Sequence, residues 1–150
     1  MAPTSGDGAA IRGARFNPKG VPALYLSTSA NGAVAEATQG FAHKFHPLIL
    51  CSYDVDCTDI IDLTTDEARK AADVMLDDMA CAWMEEISNN RKPASWGVHA
   101  QLKAEAAGIL VPSFANHMRA GTTNLVLWDW GSDLPHRVEV FDPEMRLAQR

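Results

Sequence analysis

Cysteine and long apolar runs are both scarce in this chain of 150 residues. Its three cysteines, Cys51, Cys57 and Cys81, show no C-x-x-C spacing, and an odd set of thiols fits a reducing compartment better than a disulfide framework. No apolar run approaches the roughly 20 residues of a transmembrane helix, and the first ten residues lack the basic and apolar regions of a signal peptide. The composition therefore predicts a cytoplasmic protein that does not enter a membrane.

Basic charge and metal-ligand spacing are also in short supply. Lys and Arg total 13 against 19 Asp and Glu, a formal net charge of −6, whereas a general nucleic-acid binder needs basic surface to displace counterions. The five histidines show neither HxxxH nor HExxH spacing, and the aspartates between Asp54 and Asp62 lack the glycine and glutamate of an EF-hand loop. We therefore expect no direct nucleic-acid binding and no metal, and we interpret these aspartates as a solvated loop before a helix.

The length of the chain predicts one domain, built from short strands and helices. Residues 1–10 are small, polar and glycine-rich, which indicates a flexible N-terminal arm and leaves residues 11–150 for the folded domain. Five apolar segments predict strands: "VPALYLS", "HPLILCSYDV", "GILVPS", "TNLVLWDW" and "HRVEVFD". The connector "GSDLP" is rich in turn residues, so we expect the last two strands to form a hairpin.

Three segments predict helices. The first is "NGAVAEATQGF", which Gly40 would end, and the second is one long helix through "LTTDEARKAADVMLDDMACAWMEEI". The third runs from about Ser95 to Ala107, with Gly108 as its C-terminal glycine. Strands and helices do not alternate strictly along the chain, so the pattern predicts an α+β domain with a largely antiparallel sheet rather than a doubly wound fold.

The positive charge that the chain does carry is concentrated in the loop "RGARFNPKG". Arg12, Arg15 and Lys19 lie within eight residues, interleaved with Asn17 and with glycines. Glycines let backbone amides approach an anion, and arginine offers a planar fork to phosphate oxygens. Lys19 is followed by glycine rather than Ser or Thr, so this is not a Walker A loop. The loop taken alone is more simply interpreted as a solvated basic turn; the functional interpretation is a site for a phosphate-bearing ligand.

Four other polar residues are candidates for ligand contacts, and each also has a structural interpretation. Tyr25 would stack on a flat ligand or fill the core with its hydroxyl satisfied. Glu36, on an Ala-rich helix, would stabilise an oxocarbenium-like transition state or face solvent. Ser113 and Asn116 follow a predicted strand, where ligand-binding groups collect. No Gly-x-Ser-x-Gly elbow surrounds Ser113, so a serine hydrolase is a weak alternative to a turn residue.

Taken in order, "GARFNPKGVPALYLS", "AVAEATQGF", "GILVPSFAN" and "NLVLWDW" resemble the RES-domain toxins, the partners of Xre-type antitoxins in bacterial toxin–antitoxin modules. The resemblance extends from about Arg12 to Asp142. It implies a fold similar to the ADP-ribosyltransferases of the diphtheria-toxin kind, with a mostly antiparallel split sheet between helices, and NAD+ as substrate. The sequence departs from the family pattern at Ala14, which replaces a second glycine, and in a shortened N-terminal strand.

The resemblance also implies roles for the candidate residues. The arginine, glutamate and serine that name the family would be Arg15, Glu36 and Ser113, with Tyr25 the accompanying aromatic. Arg15, Tyr25 and Glu36 would then be catalytic. Arg15 would grip the pyrophosphate or ribose, Tyr25 would hold the nicotinamide, and Glu36 would bind the ribose and stabilise its developing positive charge.

Several further residues would complete such a cofactor site. Arg12, Asn17 and Lys19 would assist Arg15 from the basic loop. Ser113 and Asn116 would form hydrogen bonds with the cofactor from the other end of the chain. No metal is required for this chemistry, because nicotinamide leaves as a neutral molecule.

The activity that the resemblance implies is cleavage of the nicotinamide–ribose bond of NAD+ by a toxin. We expect the ADP-ribose to pass to a host metabolic protein, which would make the protein a mono-ADP-ribosyltransferase. One alternative is an NAD+ glycohydrolase or phosphorylase that depletes NAD+, and another is an inactive NAD-binding module. The expected partner is an Xre-type antitoxin that blocks the active site with an acidic group or a C-terminal carboxylate.

Overall fold

The computed structural model describes residues 2–38, 49–115 and 121–147. The strands in these ranges are β1 (Leu24–Ser27), β2 (Ser52–Cys57), β3 (Ile60–Asp62), β4 (Gly108–Pro112), β5 (Thr123–Leu127) and β6 (His136–Phe141). The helices are α1 (Asp7–Arg12), α2 (Ala30–Thr38), α3 (Asp66–Ala72), α4 (Leu76–Met79), α5 (Trp83–Ser88) and α6 (Trp96–Leu102).

The strands form two sheets, as the α+β prediction with a mostly antiparallel split sheet requires. A four-stranded sheet has the order β1-β5-β4-β3, in which only the β3–β4 pair is parallel, and β2 pairs with β6 in a separate antiparallel ribbon. The register places Tyr25 opposite Val126 and Ser27 opposite Asn124, which in turn faces Val111 of β4. Since side chains alternate along a strand, these five residues lie on one face of the sheet.

The two faces of the four-stranded sheet pack against different apolar clusters. The face that carries Val111 and Val126 joins a core with Phe16 and Leu102. The opposite face contributes to a smaller cluster that contains Leu24, Leu127 and Val138 and lies toward the two-stranded ribbon. Each fully buried side chain of this size stabilises the fold by roughly 1.5–3 kcal/mol, so both faces are fixed and the sheet is a rigid support for the residues at its edge.

The single long helix predicted from residue 63 to residue 87 is wrong, because the chain forms three short helices there. Thr65 caps α3, and its side chain accepts a hydrogen bond from the Ala68 N–H. Asp73 then adopts a left-handed conformation with φ 56° and ends the helix after two turns. Met79 is fully buried whereas Met75 is 64% exposed. Met75 and Met79 are four residues apart, as on one face of a helix, but they do not share one buried apolar face.

Three other local predictions also differ from the structure. β5 and β6 do not form a hairpin, because β5 pairs with β1 and β4 while β6 pairs with β2. Asp54 and Asp56 lie on β2 and Asp62 ends β3, so these aspartates belong to strands rather than to a solvated loop. Gly108 begins β4 instead of ending a helix, and a Cβ there would come within 2.3 Å of the Val126 carbonyl oxygen. A close strand–strand approach therefore explains the glycine.

The N-terminal segment accepts hydrogen bonds from β2 and from the segment that follows β5. The boundary that we placed between residues 10 and 11 falls inside α1. The Trp130 indole donates to the carbonyl of Thr4 at 2.9 Å, and the Tyr53 hydroxyl donates to the carbonyl of Pro3 at 2.8 Å. Gly40, the predicted end of α2, lies outside the described residues. Within the described ranges, no helix is both long and apolar enough to cross a bilayer.

Candidate active site

A cavity of about 360 Å³ lies between the basic loop, α2 and one face of the four-stranded sheet. Among the described residues that line it, Arg15 is the one Lys or Arg side chain and Glu36 is the one carboxylate. The rest of the lining is mainly apolar and aromatic. Its principal side chains besides these two are Phe16, Tyr25, Ser27, Trp83, Val111, Phe114, Asn124 and Val126. An apolar cavity with a few convergent polar groups is the usual form of a small-molecule site.

Arg15 is fixed at the cavity by backbone carbonyls. Its Nη1 donates to the carbonyl oxygens of Met79 at 3.0 Å and of Cys81 at 2.8 Å, and its guanidinium lies 4.9 Å from the centre of the Phe114 ring. Burial lowers the pKa of Arg15, while the nearby Cys81 and Glu36 side chains act in the opposite direction. These contacts orient the cation through Nη1. The N–H groups on Nε and Nη2 make no hydrogen bond within the described part of the chain, so they can bind an anion.

The loop that carries Arg15 is held by three side chains bonded to three successive carbonyls. Trp96 donates to the carbonyl of Ala14 at 2.7 Å, Ser95 donates to that of Arg15, and Trp128 donates to that of Phe16 at 3.0 Å. Ala14 stands where the family pattern has glycine, and it is not among the residues with positive φ. The alanine therefore fits this loop without backbone strain.

Tyr25 and Asn17 form a hydrogen-bonded pair behind the loop. The Tyr25 hydroxyl donates to Asn17 Oδ1 at 2.7 Å and accepts from the Phe16 N–H at 2.9 Å. Burial raises the pKa of Tyr25, and the Phe16 N–H and the charge of Arg15 only partly offset this rise. The residue as a whole is nevertheless 37% exposed. The enclosed part is the hydroxyl, so Tyr25 presents its ring to the cavity.

Glu36 faces the sheet because of the way α2 begins. Ser29 Oγ accepts the Gly32 N–H at 3.0 Å, which is a typical N-cap contact. Gly32 packs so closely on β1 that a Cβ there would lie 2.2 Å from Ser27 Oγ. Residues four apart share a helix face, so Glu36 follows Gly32 on the face that α2 turns toward β1.

Within the described ranges, two side chains donate hydrogen bonds to the Glu36 carboxylate. Ser113 Oγ donates to Glu36 Oε1 at 2.8 Å, and Asn124 Nδ2 donates to the same oxygen at 2.7 Å. Asn124 Oδ1 is buried and has no hydrogen-bond partner among the residues that the structure describes. A buried unpaired acceptor costs about 1–3 kcal/mol. The carboxylate contact is therefore maintained although it leaves the other end of the amide unsatisfied.

The structure brings together Arg15, Tyr25 and Glu36, the three residues predicted to be catalytic, around one cavity. The other predicted cofactor contacts are more dispersed. Ser113 reaches the site through Glu36. Asn116 lies outside the described residues.

Three residues of the basic loop do not line this cavity. Arg12 and Lys19 are exposed to solvent, and neither borders the cavity. Asn17 is fully buried, and its amide donates to the carbonyls of Ala9 at 3.0 Å and Val21 at 2.8 Å. Its polar atoms are thus used inside the protein, where they bind the loop to α1 and to the chain before β1.

The sequence patterns did not predict most of the other side chains that line the cavity, among them Trp83, Phe114 and Asn124. Asn124 was detectable in principle, because it is a polar residue inside the apolar strand "TNLVLWDW". Among the described residues, no group of three or more His, Cys, Asp or Glu side chains is placed to hold a metal ion.

Comparison with known proteins identifies the domain that carries this site. A family model described as the RES domain matches residues 1–148. The chain belongs to the RES family. It is also similar to the NAD(+) phosphorylase MbcT of Mycobacterium tuberculosis and to that of Mycobacterium bovis. Each alignment is 142 residues long at 30% identity, and it covers 81% of this chain and 72% of the relative.

Membership of the RES family agrees with the arrangement of the site. Arg15, Glu36 and Ser113, the residues matched by resemblance to the arginine, glutamate and serine of the family, come from a loop, a helix and a strand end. In this RES domain they meet at one cavity or within one hydrogen bond of it. The tyrosine that accompanies them, Tyr25, lies on the adjoining strand β1.

Proposed function

We propose that this protein is a toxin that degrades NAD+ by cleaving its nicotinamide–ribose bond and transferring ADP-ribose to inorganic phosphate. The observation that carries the proposal is the convergence of Arg15, Tyr25 and Glu36, from three separate segments, on one cavity. The printed name of the relatives, NAD(+) phosphorylase, supports phosphate as the acceptor. It favours NAD+ depletion over our first expectation, transfer to a host protein.

The proposed reaction exchanges one bond at the anomeric carbon of the nicotinamide ribose. The carbon–nitrogen bond breaks, and nicotinamide leaves with the electron pair as a neutral molecule. A phosphate oxygen forms the new bond, giving ADP-ribose 1″-phosphate, and with the phosphate dianion no proton must be gained or lost. Positive charge develops on the ribose during this exchange, and the Glu36 carboxylate would stabilise it by electrostatics.

Arg15 and Tyr25 would bind the phosphate end and the nicotinamide end of the part of NAD+ that reacts. The guanidinium is anchored by two carbonyls through Nη1, so its other N–H groups would meet phosphate oxygens in a fixed direction. Tyr25 would stack on the nicotinamide ring, since its hydroxyl is already used by Asn17 and Phe16. Both side chains are preorganised, and preorganisation lowers the entropic cost of reaching the reactive geometry.

A toxin of this kind requires a partner that inhibits it, and we propose a cognate antitoxin that closes the same cavity. Among the described lining residues Arg15 is the one cationic side chain. An acidic or C-terminal carboxylate group of the antitoxin would therefore dock against Arg15. The test is to measure NAD+ cleavage by the purified complex. We expect the antitoxin to block it, and an antitoxin whose acidic group is neutralised to block it no longer.

The proposed activity is tested by incubating the purified protein with NAD+ and measuring free nicotinamide, with and without phosphate. We expect release that depends on phosphate, a product with the mass of ADP-ribose 1″-phosphate, and no release by Glu36→Ala. Clickable NAD+ added to a lysate separates the acceptors, because a labelled protein band with little bulk consumption would indicate transfer to protein. Equal nicotinamide release by wild type and Glu36→Ala would end the proposal.

A further inference from the structure

The amide of Asn124 is oriented by the Glu36 carboxylate. An ionised carboxylate accepts hydrogen bonds but cannot donate them, so the Asn124 atom 2.7 Å from Glu36 Oε1 is the NH2 group. The opposite orientation would place two oxygens in contact. Fixing the NH2 group toward Glu36 leaves Oδ1 buried without a partner among the described residues. A side chain with only a packing role would not need this arrangement, because an apolar residue of the same shape would avoid it.

The strand register explains how Asn124 reaches the carboxylate. On the sheet face under α2, Asn124 lies between Ser27 of β1 and Val111 of β4. The neighbouring row on the same face carries Tyr25 and Val126, about 7 Å along the strands. Asn124 is therefore next to the proposed nicotinamide position and directly below the carboxylate that would face the ribose.

We propose that Asn124 is a positioning residue, which holds Glu36 Oε1 together with Ser113 and thereby directs the carboxylate at the ribose carbon. This inference rests on the proposed NAD+ cleavage. Two donors on one oxygen restrict the rotation of the carboxylate. The charge that Glu36 must oppose develops only in the transition state, so misplacing Glu36 lowers kcat more than it weakens substrate binding.

The test is a double-mutant cycle with four proteins: wild type, Asn124→Leu, Glu36→Gln and the double variant. We expect Asn124→Leu to lower kcat for nicotinamide release by about 10- to 50-fold with KM changed less than about 3-fold. In the Glu36→Gln background the same change should lower kcat less than about 2-fold, since the negative charge that Asn124 directs is already absent. An equal loss in both backgrounds would overturn the inference.

The urea midpoint of unfolding distinguishes a positioning role from a purely structural one, because the two roles predict opposite changes in it. Leucine removes the unpaired Oδ1, so we expect the urea midpoint of Asn124→Leu to equal or exceed that of the wild type while kcat falls. A lower midpoint, with kcat lost in proportion to folded protein, would assign Asn124 to the fold alone. Asn124→Ala, which adds no bulk, repeats the cycle if leucine prevents folding.

The control is Thr123→Val, a polar-to-apolar change at the preceding residue of β5, whose side chain faces Thr28 on the opposite side of the strand. It should leave kcat within about 2-fold of wild type. Wild-type protein that releases no nicotinamide would remove the proposed function and this inference together. Wild-type turnover with additive effects of the two substitutions would remove this inference alone.

Discussion

The cavity has two polar walls that are built in different ways. The basic-loop wall, formed by Arg15 and Tyr25 with Asn17 buried behind them, is held mainly by the backbone: the Arg15 guanidinium and the Asn17 amide both donate to carbonyl oxygens. The carboxylate wall, formed by Glu36 and Asn124 with Ser113 bonded to the carboxylate, is held by contacts between side chains. The first wall is a rigid frame, whereas the geometry of the second depends on which side chains face one another.

This difference has a physical reason. A backbone carbonyl is available whatever the side chain is, so the basic-loop wall is fixed once the chain has folded around Asn17. A carboxylate cannot accept from a backbone group that the sheet already uses, so Glu36 depends on polar side chains from β5 and from the end of β4. We expect substitutions in the basic-loop wall to affect binding and stability, and substitutions in the carboxylate wall to affect the chemical step.

The largest expected effect is on the carboxylate wall, from Glu36→Gln. Glutamine still accepts from Ser113 and Asn124, so the shape of the wall is kept while its negative charge is lost. Removing one electrostatic contact to the transition state typically lowers kcat by about 100- to 1000-fold, and we expect a loss of that size in nicotinamide release. Glu139→Gln, on the exposed side of β6, is the matched control and should retain full activity. Comparable activity of Glu36→Gln and wild type would show that charge is not what this wall supplies.

The next effect is on the basic-loop wall, from Arg15→Lys. An ammonium group cannot bond two carbonyls and still present a planar fork to phosphate. Loss of charged hydrogen bonds of this kind lowers kcat/KM by roughly 10- to 100-fold, and we expect most of it in KM. Arg12→Ala and Lys19→Ala, which alter solvent-exposed cations of the same loop, should stay within about 2-fold of wild type. If either control matched Arg15→Lys, the phosphate would bind outside the cavity described here.

The two walls also differ in how well the sequence predicts them. The basic loop is local: its arginines, asparagine and glycines are close in the chain, and its composition alone indicates a special conformation. Even so, the sequence could not distinguish Arg15, which faces the cavity, from Arg12 and Lys19, which face solvent. The direction of these side chains depends on the burial of Asn17, which a local pattern does not show. Asn17 was predicted to bind the cofactor, and its buried hydrogen bonds instead support Tyr25.

The carboxylate wall is non-local, and the sequence predicted it less completely. Glu36 and Ser113 were assigned through family resemblance, while Asn124 was missed, because its contact follows from the pairing of Ser27 with Asn124 across most of the chain. The fold shows the same division. The α+β class and five of the strand segments were predicted, whereas the β5–β6 hairpin and the long helix were wrong. Strand pairing and the left-handed residue Asp73, which local patterns do not encode, decided both.

The smallest expected effect is that of Tyr25→Phe, because the Tyr25 hydroxyl belongs to the rigid basic-loop wall while its ring faces the cavity. Burial raises the pKa of the phenol, so the unfolded chain loses this proton near pH 10, before the folded protein does. Stability that depends on the neutral phenol is therefore complete below pH 10 and declines as the pH rises above it. We expect the unfolding free energy, measured in urea at pH 9, 10 and 11, to fall more steeply for wild type than for Tyr25→Phe. Tyr53, whose pKa burial also raises, is present in both proteins and contributes equally to each slope.

At neutral pH Tyr25→Phe should keep nicotinamide release within about 10-fold of wild type, because the stacking ring remains. Parallel slopes combined with a complete loss of activity would instead assign the hydroxyl to the reaction and remove it from the frame.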